Sequence, residues 1–232
     1  MRYDFLLFDA DGTLLDFLKS EREALWETLD NNGIQPTDEK IKLYSGINDS
    51  LWKLHERGEI SKKELLVRRF ELLLEALGEK AEVNKIAREY ESRISEKGYL
   101  LDGAEEMCCA LFGKARMFIV TNGLEVIQRG RYARCGIDRY FENVFISDNI
   151  GFQKPSVHFF EHVADSIDGF DKSRALIIGD SLTSDMRGGL NFGIDTCWYN
   201  PDGKACPDDM NITHISDSFG DIVNFILGEE AL

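Results

Sequence analysis

Short apolar runs alternate with segments of helical spacing along most of this chain, and this alternation limits its possible folds. The runs lie at residues 3–8, 116–121, 144–147, 175–179 and 196–199. Helical spacing of apolar residues occupies residues 103–112, 123–136, 155–168, 183–193 and 218–227. The run Ala175-Leu-Ile-Ile-Gly179 is continuously apolar, which is typical of a strand that is buried on both faces of a parallel sheet. Strands that alternate with helices predict an open parallel α/β sheet.

A helical block interrupts this alternation directly after the first apolar run. Between residues 17 and 98 apolar side chains recur at helical spacing, as at Leu65 and Leu73. Thr37 and Ser61 each stand shortly before an acidic residue, a pattern that is typical of helix starts. The spacing predicts about four helices in this block. The expected domains are a Rossmann-like α/β core, residues 1–16 and 99–232, and an inserted all-helical cap, residues 17–98.

The charge of the chain excludes several classes of partner. Its 27 Lys and Arg residues face 42 Asp and Glu residues, which gives a formal net charge of −15 among 232 residues. A broad nucleic-acid-binding surface needs clustered Lys and Arg, and anionic membranes repel an acidic surface. No apolar run approaches the length of a membrane span, and the N-terminus turns acidic too soon for a signal peptide. We therefore expect a cytoplasmic monomer or homodimer that acts on a small molecule.

The five cysteines do not form a recognisable framework. Their number is odd and the sequence contains no CxxC pair, which argues against both a disulfide scaffold and a tetrahedral zinc site. Reduced cysteines in a cytosolic protein are the simpler interpretation.

Polar residues follow several of the predicted strands at the point where each strand ends. They are Asp9 and Asp11, Thr121-Asn122-Gly123, and Asp180 and Asp185. Lys154-Pro155 lies in a loop between the apolar runs 144–147 and 175–179. Ligands of open α/β sheets bind beyond the carboxyl ends of the strands. We therefore expect these side chains to converge on one pocket.

The residue types in this pocket favour phosphate chemistry. Asp9 and Asp11 are separated by one residue, and two bare carboxylates at one point repel and raise each other's pKa. Three carboxylates together suit a hard divalent cation, usually Mg²⁺. Thr121 and Lys154 could then bind the oxygens of a phosphate ester. Asp9 can act as a carboxylate nucleophile, and Asp11 can protonate the leaving oxygen and later deprotonate water.

The four motifs FDADGTL, TNG, KP and GDSLTSD, in this order, resemble those of the haloacid dehalogenase-like (HAD) hydrolase superfamily. The helical block resembles the C1-type cap of its phosphatases. The resemblance implies a nucleophile, Asp9, and a general acid/base, Asp11, whose backbone carbonyl also binds the metal. It implies phosphoryl-binding residues, Thr121, Asn122 and Lys154. It implies a Mg²⁺ ligand, Asp180, and a residue that supports the ion directly or through water, Asp185, although Asp185 could instead cap the following helix.

Three segments of the sequence resemble one particular group within this superfamily. They are FDADGTL, the cap run LWKLHERGEISKKELLVRRFE and the segment GLNFGIDTCWYN. All are similar to YjjG/YfnB-type pyrimidine 5′-nucleotidases, which dephosphorylate nucleoside monophosphates such as dUMP and dTMP. Members of that group often carry Asp-Glu-Thr in the first motif, whereas this chain has the Asp-Gly-Thr of the broader superfamily. In the cap, Trp52 and Arg69 are candidates for contacts with a base or ribose, or else belong to the core and the charged surface.

Other functions remain open on the same residues. The resemblance also fits a promiscuous phosphatase of sugar phosphates or phosphoglycolate, and a β-phosphoglucomutase-like mutase that moves the phosphoryl group. A 2-haloacid dehalogenase shares the fold but needs neither a metal nor the second acid, so Asp11 and Asp180 argue against it. A non-catalytic binding module usually loses the nucleophile or a metal acid, and this chain keeps them.

Overall fold

A computed structural model of the protein describes residues 2–228 and contains a sheet flanked by helices. The strands are β1 Phe5–Phe8, β2 Arg116–Thr121, β3 Asn143–Ile146, β4 Ala175–Gly179, β5 Asp195–Tyr199 and β6 His214–Ser216. The helices are α1 Phe17–Asn31, α2 Asp38–Glu56, α3 Lys62–Leu77, α4 Val83–Ser95, α5 Ala104–Leu111, α6 Glu125–Cys135, α7 Ser147–Ile150, α8 Val157–Asp165, α9 Arg187–Phe192 and α10 Phe219–Leu227. A π-helical turn, Leu182–Met186, leads into α9.

The six strands form one parallel sheet in the order β3-β2-β1-β4-β5-β6. The first strand is central, and Phe8 is paired with Ile119 of β2 on one side and with Ile178 of β4 on the other. The chain therefore builds the sheet outward from β1 in both directions, and such a reversal of strand order opens a crevice at the carboxyl ends of the strands. The predicted parallel α/β fold is confirmed.

The sheet belongs to a compact unit that comprises residues 2–16, 100–125 and 135–228 of the described chain. Leu7 of β1 and Ile177 of β4 are fully buried, and they pack in one cluster with Phe160 of α8 and Phe192, whose rings stack at 5.6 Å. Burial of each such side chain contributes about 1.5–3 kcal/mol to folding. This packing holds the strand ends at fixed positions, which an active site at their edge requires.

The helical block forms a second compact unit from residues 17–99 together with residues 126–134. Its core joins Leu25 of α1, Tyr44 of α2, Phe70 of α3 and Tyr90 of α4. The four predicted helices of residues 17–98 are present as α1–α4. The domain boundaries deduced from the sequence stay a prediction, and the contacts of this unit additionally include most of α6.

The predicted helix starts are present in detail. Thr37 accepts a hydrogen bond from the backbone N–H of Lys40 at 3.3 Å, and Ser61 accepts one from Glu64 at 3.2 Å. Each hydroxyl satisfies a backbone donor that the first turn of a helix leaves without an internal partner. Among the helices of residues 2–228, none combines the length and apolar character needed to cross a membrane.

Candidate active site

The first motif leaves the sheet through a tight turn. The Asp9 N–H donates to the carbonyl of Ile178 at 2.9 Å, so Asp9 still continues the ladder to β4. The carbonyl of Ala10 then accepts from the N–H groups of residues 14 and 15, and Gly12 adopts a φ of +86°. Asp11 thus lies beyond the end of β1, where it forms an isolated bridge with Leu15.

Three carboxylates meet at the carboxyl edge of the central strands. Oxygen atoms of Asp9, Asp180 and Asp185 all lie within 4.8 Å of one another. Asp9 follows β1, Asp180 follows β4, and Asp185 lies in the π-helical turn. Asp9 and Asp185 are buried, whereas Asp180 is exposed. Within residues 2–228 the Asp11 carboxylate is not part of this group.

A buried lysine neutralises part of this negative charge. The Lys154 ammonium donates to Asp9 Oδ1 at 2.6 Å, to Asp185 Oδ1 at 2.6 Å and to the carbonyl of Val120 at 2.8 Å. These contacts use the three donors of the ammonium, and the side chain is 1% exposed. Burial disfavours the charge of Lys154, but the adjacent carboxylates of Asp185 and Asp9 outweigh it and raise the lysine pKa above its usual range. The lysine therefore stays protonated.

Burial and the neighbouring negative charges also raise the pKa values of the carboxylates. Burial and the charge of Asp185 raise the pKa of Asp9 well above its ordinary value, against the opposing effect of Lys154. Asp180 keeps solvent access, but surrounding protein atoms restrict its hydration. This restriction, together with the charge of Asp185, raises the pKa of Asp180 to about 7. A site that disfavours its own ionised carboxylates in this way is one that a bound cation would stabilise.

The second motif contacts the loop that carries the lysine. The Asn122 side chain donates from Nδ2 to the carbonyl of Lys154 at 2.9 Å and accepts at Oδ1 from the Lys154 N–H at 2.9 Å. The Thr121 hydroxyl, which is buried, accepts from the N–H of Gly123 at 3.1 Å. The Ser147 hydroxyl donates to the carbonyl of Asn122 at 3.3 Å. Two of the predicted phosphoryl-binding residues, Asn122 and Lys154, are therefore in direct contact, and Thr121 precedes Asn122 in the chain.

Several residues that hold this site have no predicted role in the sequence. The Thr13 hydroxyl donates to Asp180 Oδ1 at 3.3 Å, and the Trp198 indole N–H donates to the Asp180 carbonyl at 2.9 Å. The Ser181 N–H donates to Asp185 Oδ2 at 3.1 Å. Thr13 belongs to the FDADGTL motif, so its position in the sequence could have indicated a place in the site. Trp198 lies on the neighbouring strand β5, and no local sequence pattern connects it with Asp180.

Glycine is required at two positions beside the carboxylates. A Cβ atom at Gly179 would lie 2.3 Å from Asp185 Oδ2, and one at Gly12 would lie 2.6 Å from Asp180 Oδ2. Gly12 also has the positive φ that side chains disfavour. Both glycines therefore let the backbone approach the acids closely.

The helical unit places the two predicted cap residues differently. Arg69 is 3% exposed and donates to Asn48 Oδ1 at 3.2 Å, while Asn48 Nδ2 donates to the buried carboxylate of Glu21 at 2.9 Å. Asn48 thus links a buried carboxylate to a buried guanidinium. Trp52 is half-buried and its ring lies edge-on to that of His55 at 5.7 Å. A role of Trp52 and Arg69 in substrate binding stays a prediction.

Comparison with curated proteins identifies relatives over nearly the whole chain. The pyrimidine 5′-nucleotidase PynA of Streptococcus pneumoniae is 41% identical over 202 residues, which cover 87% of this chain and 85% of PynA. The HAD-hydrolase YfnB of Bacillus subtilis is 38% identical over 88% of this chain and 86% of YfnB. The pyrimidine 5′-nucleotidase YjjG of Escherichia coli is 32% identical over 90% of this chain and 91% of YjjG.

Solved structures agree with this relationship. A crystal structure of YfnB from Bacillus subtilis bound to magnesium superposes with a TM-score of 0.93 at 34% identity, covering 97% of this chain and 99% of that one. The L-2-haloacid dehalogenase from Xanthobacter autotrophicus shares the fold, with a TM-score of 0.74 at 16% identity over 98% of this chain. The family model of haloacid dehalogenase-like hydrolases matches residues 3–193. By this match and by its relatives, the chain belongs to the haloacid dehalogenase-like hydrolases.

Proposed function

We propose that this hydrolase cleaves phosphomonoesters with the help of Mg²⁺, through an aspartyl-phosphate on Asp9, and that its substrates are pyrimidine nucleoside monophosphates. The observation that carries the mechanism is the placement of Asp9. Its carboxylate lies at the end of the central strand, next to the Lys154 ammonium and two further carboxylates. We further propose that the enzyme works in the cytoplasm on this small, diffusible substrate.

The residues present fit a divalent cation. The donor set consists of carboxylate oxygens, which hard cations such as Mg²⁺ prefer. When all three carboxylates are ionised, Asp9, Asp180 and Asp185 with the single ammonium of Lys154 leave two negative charges in excess. These carboxylates, with the backbone carbonyl of Asp11, would hold the ion. When bound, Mg²⁺ supplies positive charge that offsets the repulsion among the acids and between them and the phosphate.

Asp9 is the proposed nucleophile of the first step. Its oxygen attacks phosphorus, the bond between phosphorus and the ester oxygen breaks, and Asp11 gives its proton to the leaving oxygen. Lys154 stays within hydrogen-bond distance of Asp9 and supplies a fixed positive charge beside the phosphoryl group. Thr121 lies on the adjacent strand end and is proposed to bind a phosphoryl oxygen. Such a transfer depends mainly on positioning and charge neutralisation.

Asp11 reverses its role in the second step. The ionised Asp11 takes a proton from water, the water oxygen attacks phosphorus, and the bond to Asp9 breaks. Inorganic phosphate leaves, and both acids return to their starting states. Asp11 stands two residues beyond the nucleophile in the sequence, and its one side chain is proposed to serve both half-reactions.

The substrate class is supported by the names of the relatives. PynA at 41% identity and YjjG at 32% identity are both named pyrimidine 5′-nucleotidases. A phosphatase of sugar phosphates or phosphoglycolate, and a phosphomutase, would use the same core residues, and they are the alternatives that an assay must separate.

The test is phosphate release from a panel of phosphomonoesters, each with Mg²⁺ and with EDTA. The panel contains dUMP, dTMP, UMP, AMP, glucose phosphates and phosphoglycolate. We expect release from the pyrimidine nucleotides, loss of release with EDTA, and no turnover by Asp9→Asn although the variant stays folded by circular dichroism.

Each alternative has its own result. Release that is highest with glucose phosphates or phosphoglycolate would replace the nucleotidase by a broader phosphatase. Conversion of one sugar phosphate into its isomer without free phosphate would indicate a mutase. Full turnover by Asp9→Asn would reject Asp9 as the nucleophile for any of these substrates.

A further inference from the structure

We propose that Asn122 is a positioning residue that acts through Lys154, and that its carboxamide does not bind the phosphoryl group. This inference rests on the proposed function and revises one role within it, because the sequence motif implies phosphoryl binding by Asn122. The geometry points to a clamp: Asn122 holds the main chain of Lys154 from both sides, and Lys154 in turn holds the nucleophile.

The clamp consists of two hydrogen bonds between one side chain and one backbone. Asn122 Nδ2 donates to the Lys154 carbonyl and Asn122 Oδ1 accepts from the Lys154 N–H, both at 2.9 Å. A carboxamide can satisfy a donor and an acceptor of one residue in this way because its oxygen and nitrogen lie side by side. The two bonds fix the peptide groups on either side of the Lys154 Cα atom, and so fix the point from which the side chain starts.

Lys154 needs such a fixed origin because its location is not set by regular structure. It lies between α7 and α8, outside every described helix and strand. Its side chain has four rotatable carbon bonds, and a lysine of this kind loses substantial rotamer freedom when it is ordered. Yet its ammonium reaches Asp9, Asp185 and the Val120 carbonyl at 2.6–2.8 Å. A displaced Lys154 backbone would lengthen these contacts together.

A second contact supports the clamp from behind. Ser147, at the start of α7, is 4% exposed and donates its hydroxyl to the carbonyl of Asn122 at 3.3 Å. The order of contacts is therefore Ser147 to Asn122, Asn122 to Lys154, and Lys154 to Asp9. These residues come from the ends of β2 and β3, the following loop and the end of β1, so the clamp joins the ends of β2 and β3 to the nucleophile at the end of β1.

The chain contains a matched control for this clamp. Asn200 makes the same pair of bonds to Lys204: its Nδ2 donates to the Lys204 carbonyl and its Oδ1 accepts from the Lys204 N–H, both at 2.9 Å. The Lys204 ammonium pairs with Asp202 at the surface and both side chains are exposed. Asn200→Ala removes an equal number of hydrogen bonds from the same unit, but from a lysine that does not contact Asp9.

The first measurement uses NMR to test whether the Lys154 ammonium keeps its buried contacts, and it does not depend on enzyme turnover. A buried ammonium with three acceptors exchanges its protons slowly and gives an observable ¹⁵Nζ signal, which Lys154→Met assigns by removing it. We expect Asn122→Ala to abolish this slowly exchanging signal and Asn200→Ala to retain it. A signal that persists unchanged in Asn122→Ala would overturn the proposal, whatever the activity of the enzyme. If Asn122→Ala does not fold, Asn122→Asp replaces it, since it keeps the acceptor and loses the donor.

The second measurement is a double-mutant cycle on phosphate release from dUMP. We expect Asn122→Ala to lower kcat by about 100-fold, the scale of a 1 Å displacement in an active site. In the Lys154→Met background the same change should alter neither kcat nor KM, because the residue it acts through is gone. A rise in KM that survives in that background would instead assign the carboxamide to the phosphoryl group. No release by the unmodified enzyme would reject the proposed function alone, and the ¹⁵Nζ comparison would still decide the role of Asn122.

Discussion

Replacement of Gly179 by alanine tests whether the position of the Asp185 carboxylate matters for activity. Gly179 ends β4, and a Cβ atom there would lie 2.3 Å from Oδ2, 2.4 Å from Cγ and 2.6 Å from Cβ of Asp185. Ordinary contact begins at 3.4 Å, so the Asp185 side chain must recede by about 1 Å or β4 must move by a similar amount. Because Ile178 and Gly179 are paired with β5 and the strand is fully buried, we expect Asp185 to move.

The displacement has a cost in both stability and activity. Asp185 would lose its 2.6 Å contact with Lys154 and its 3.1 Å contact with the Ser181 N–H. Overpacking of a tight interior usually costs about 1–3 kcal/mol, which lowers the melting temperature of a chain of this size by about 2–4 °C per kcal/mol. A shift of about 1 Å beside the nucleophile should lower kcat by about 100-fold.

The assay compares Gly179→Ala with Gly220→Ala. Gly220 lies in α10 of the same unit and a Cβ atom there meets nothing within 4 Å, so alanine should leave the activity unchanged and raise the stability slightly. Phosphate release gives kcat, and thermal unfolding followed by circular dichroism gives the melting temperature. A Gly179→Ala enzyme with the kcat of the unmodified protein would refute the reasoning, because it would mean that the position of Asp185 does not matter.

Three further predictions test other parts of the structure. Lys154→Met leaves the buried carboxylates without their counter-charge, which should destabilise the protein by about 3–5 kcal/mol, measured by urea unfolding without metal. Mg²⁺ should raise the melting temperature of the unmodified protein relative to EDTA, because an ion that binds only the folded state stabilises it; equal melting temperatures would contradict the metal site. Thr37→Ala removes the N-cap hydrogen bond of α2 and should cost about 1 kcal/mol in urea unfolding, with phosphate release unchanged.

The order of elements in the sheet unit could be predicted because each of the inner strands contains a short apolar run. Residues 175–179 are an example: all five are buried, as the pattern predicts. β6 could not be predicted in the same way. It has three residues, His214–Ser216, and its one apolar side chain, Ile215, is 43% exposed. This edge strand exists because of its pairing with β5, and no local pattern records that pairing.

Two members of the carboxylate group, Asp9 and Asp180, followed from the parallel arrangement of the strands. Asp9 and Asp180 each come directly after a strand, and the ends of adjacent parallel strands must lie side by side. The contacts of Lys154 do not follow from any strand. They depend on a loop and on the amide of Asn122, residues that are 32 positions apart in the sequence. The order of motifs in the sequence can identify Lys154 as a candidate site residue, but it cannot predict which atoms the lysine contacts.

Arg69 shows that helical periodicity can predict the burial of a residue even when that residue is charged. It lies four residues after Leu65 and four before Leu73, so all three occupy one row along α3. Both leucines are fully buried, and Arg69 is 3% exposed, whereas its neighbour Arg68 is on the surface and pairs with Glu71 at 2.9 Å. A buried guanidinium requires partners, and those of Arg69 are the carbonyl of Leu66 in α3 and Asn48 of α2, which links it to Glu21 of α1. The helical periodicity therefore predicts the burial of Arg69, whereas its contact with Asn48 of another helix does not follow from the sequence, and its role in substrate binding stays a prediction.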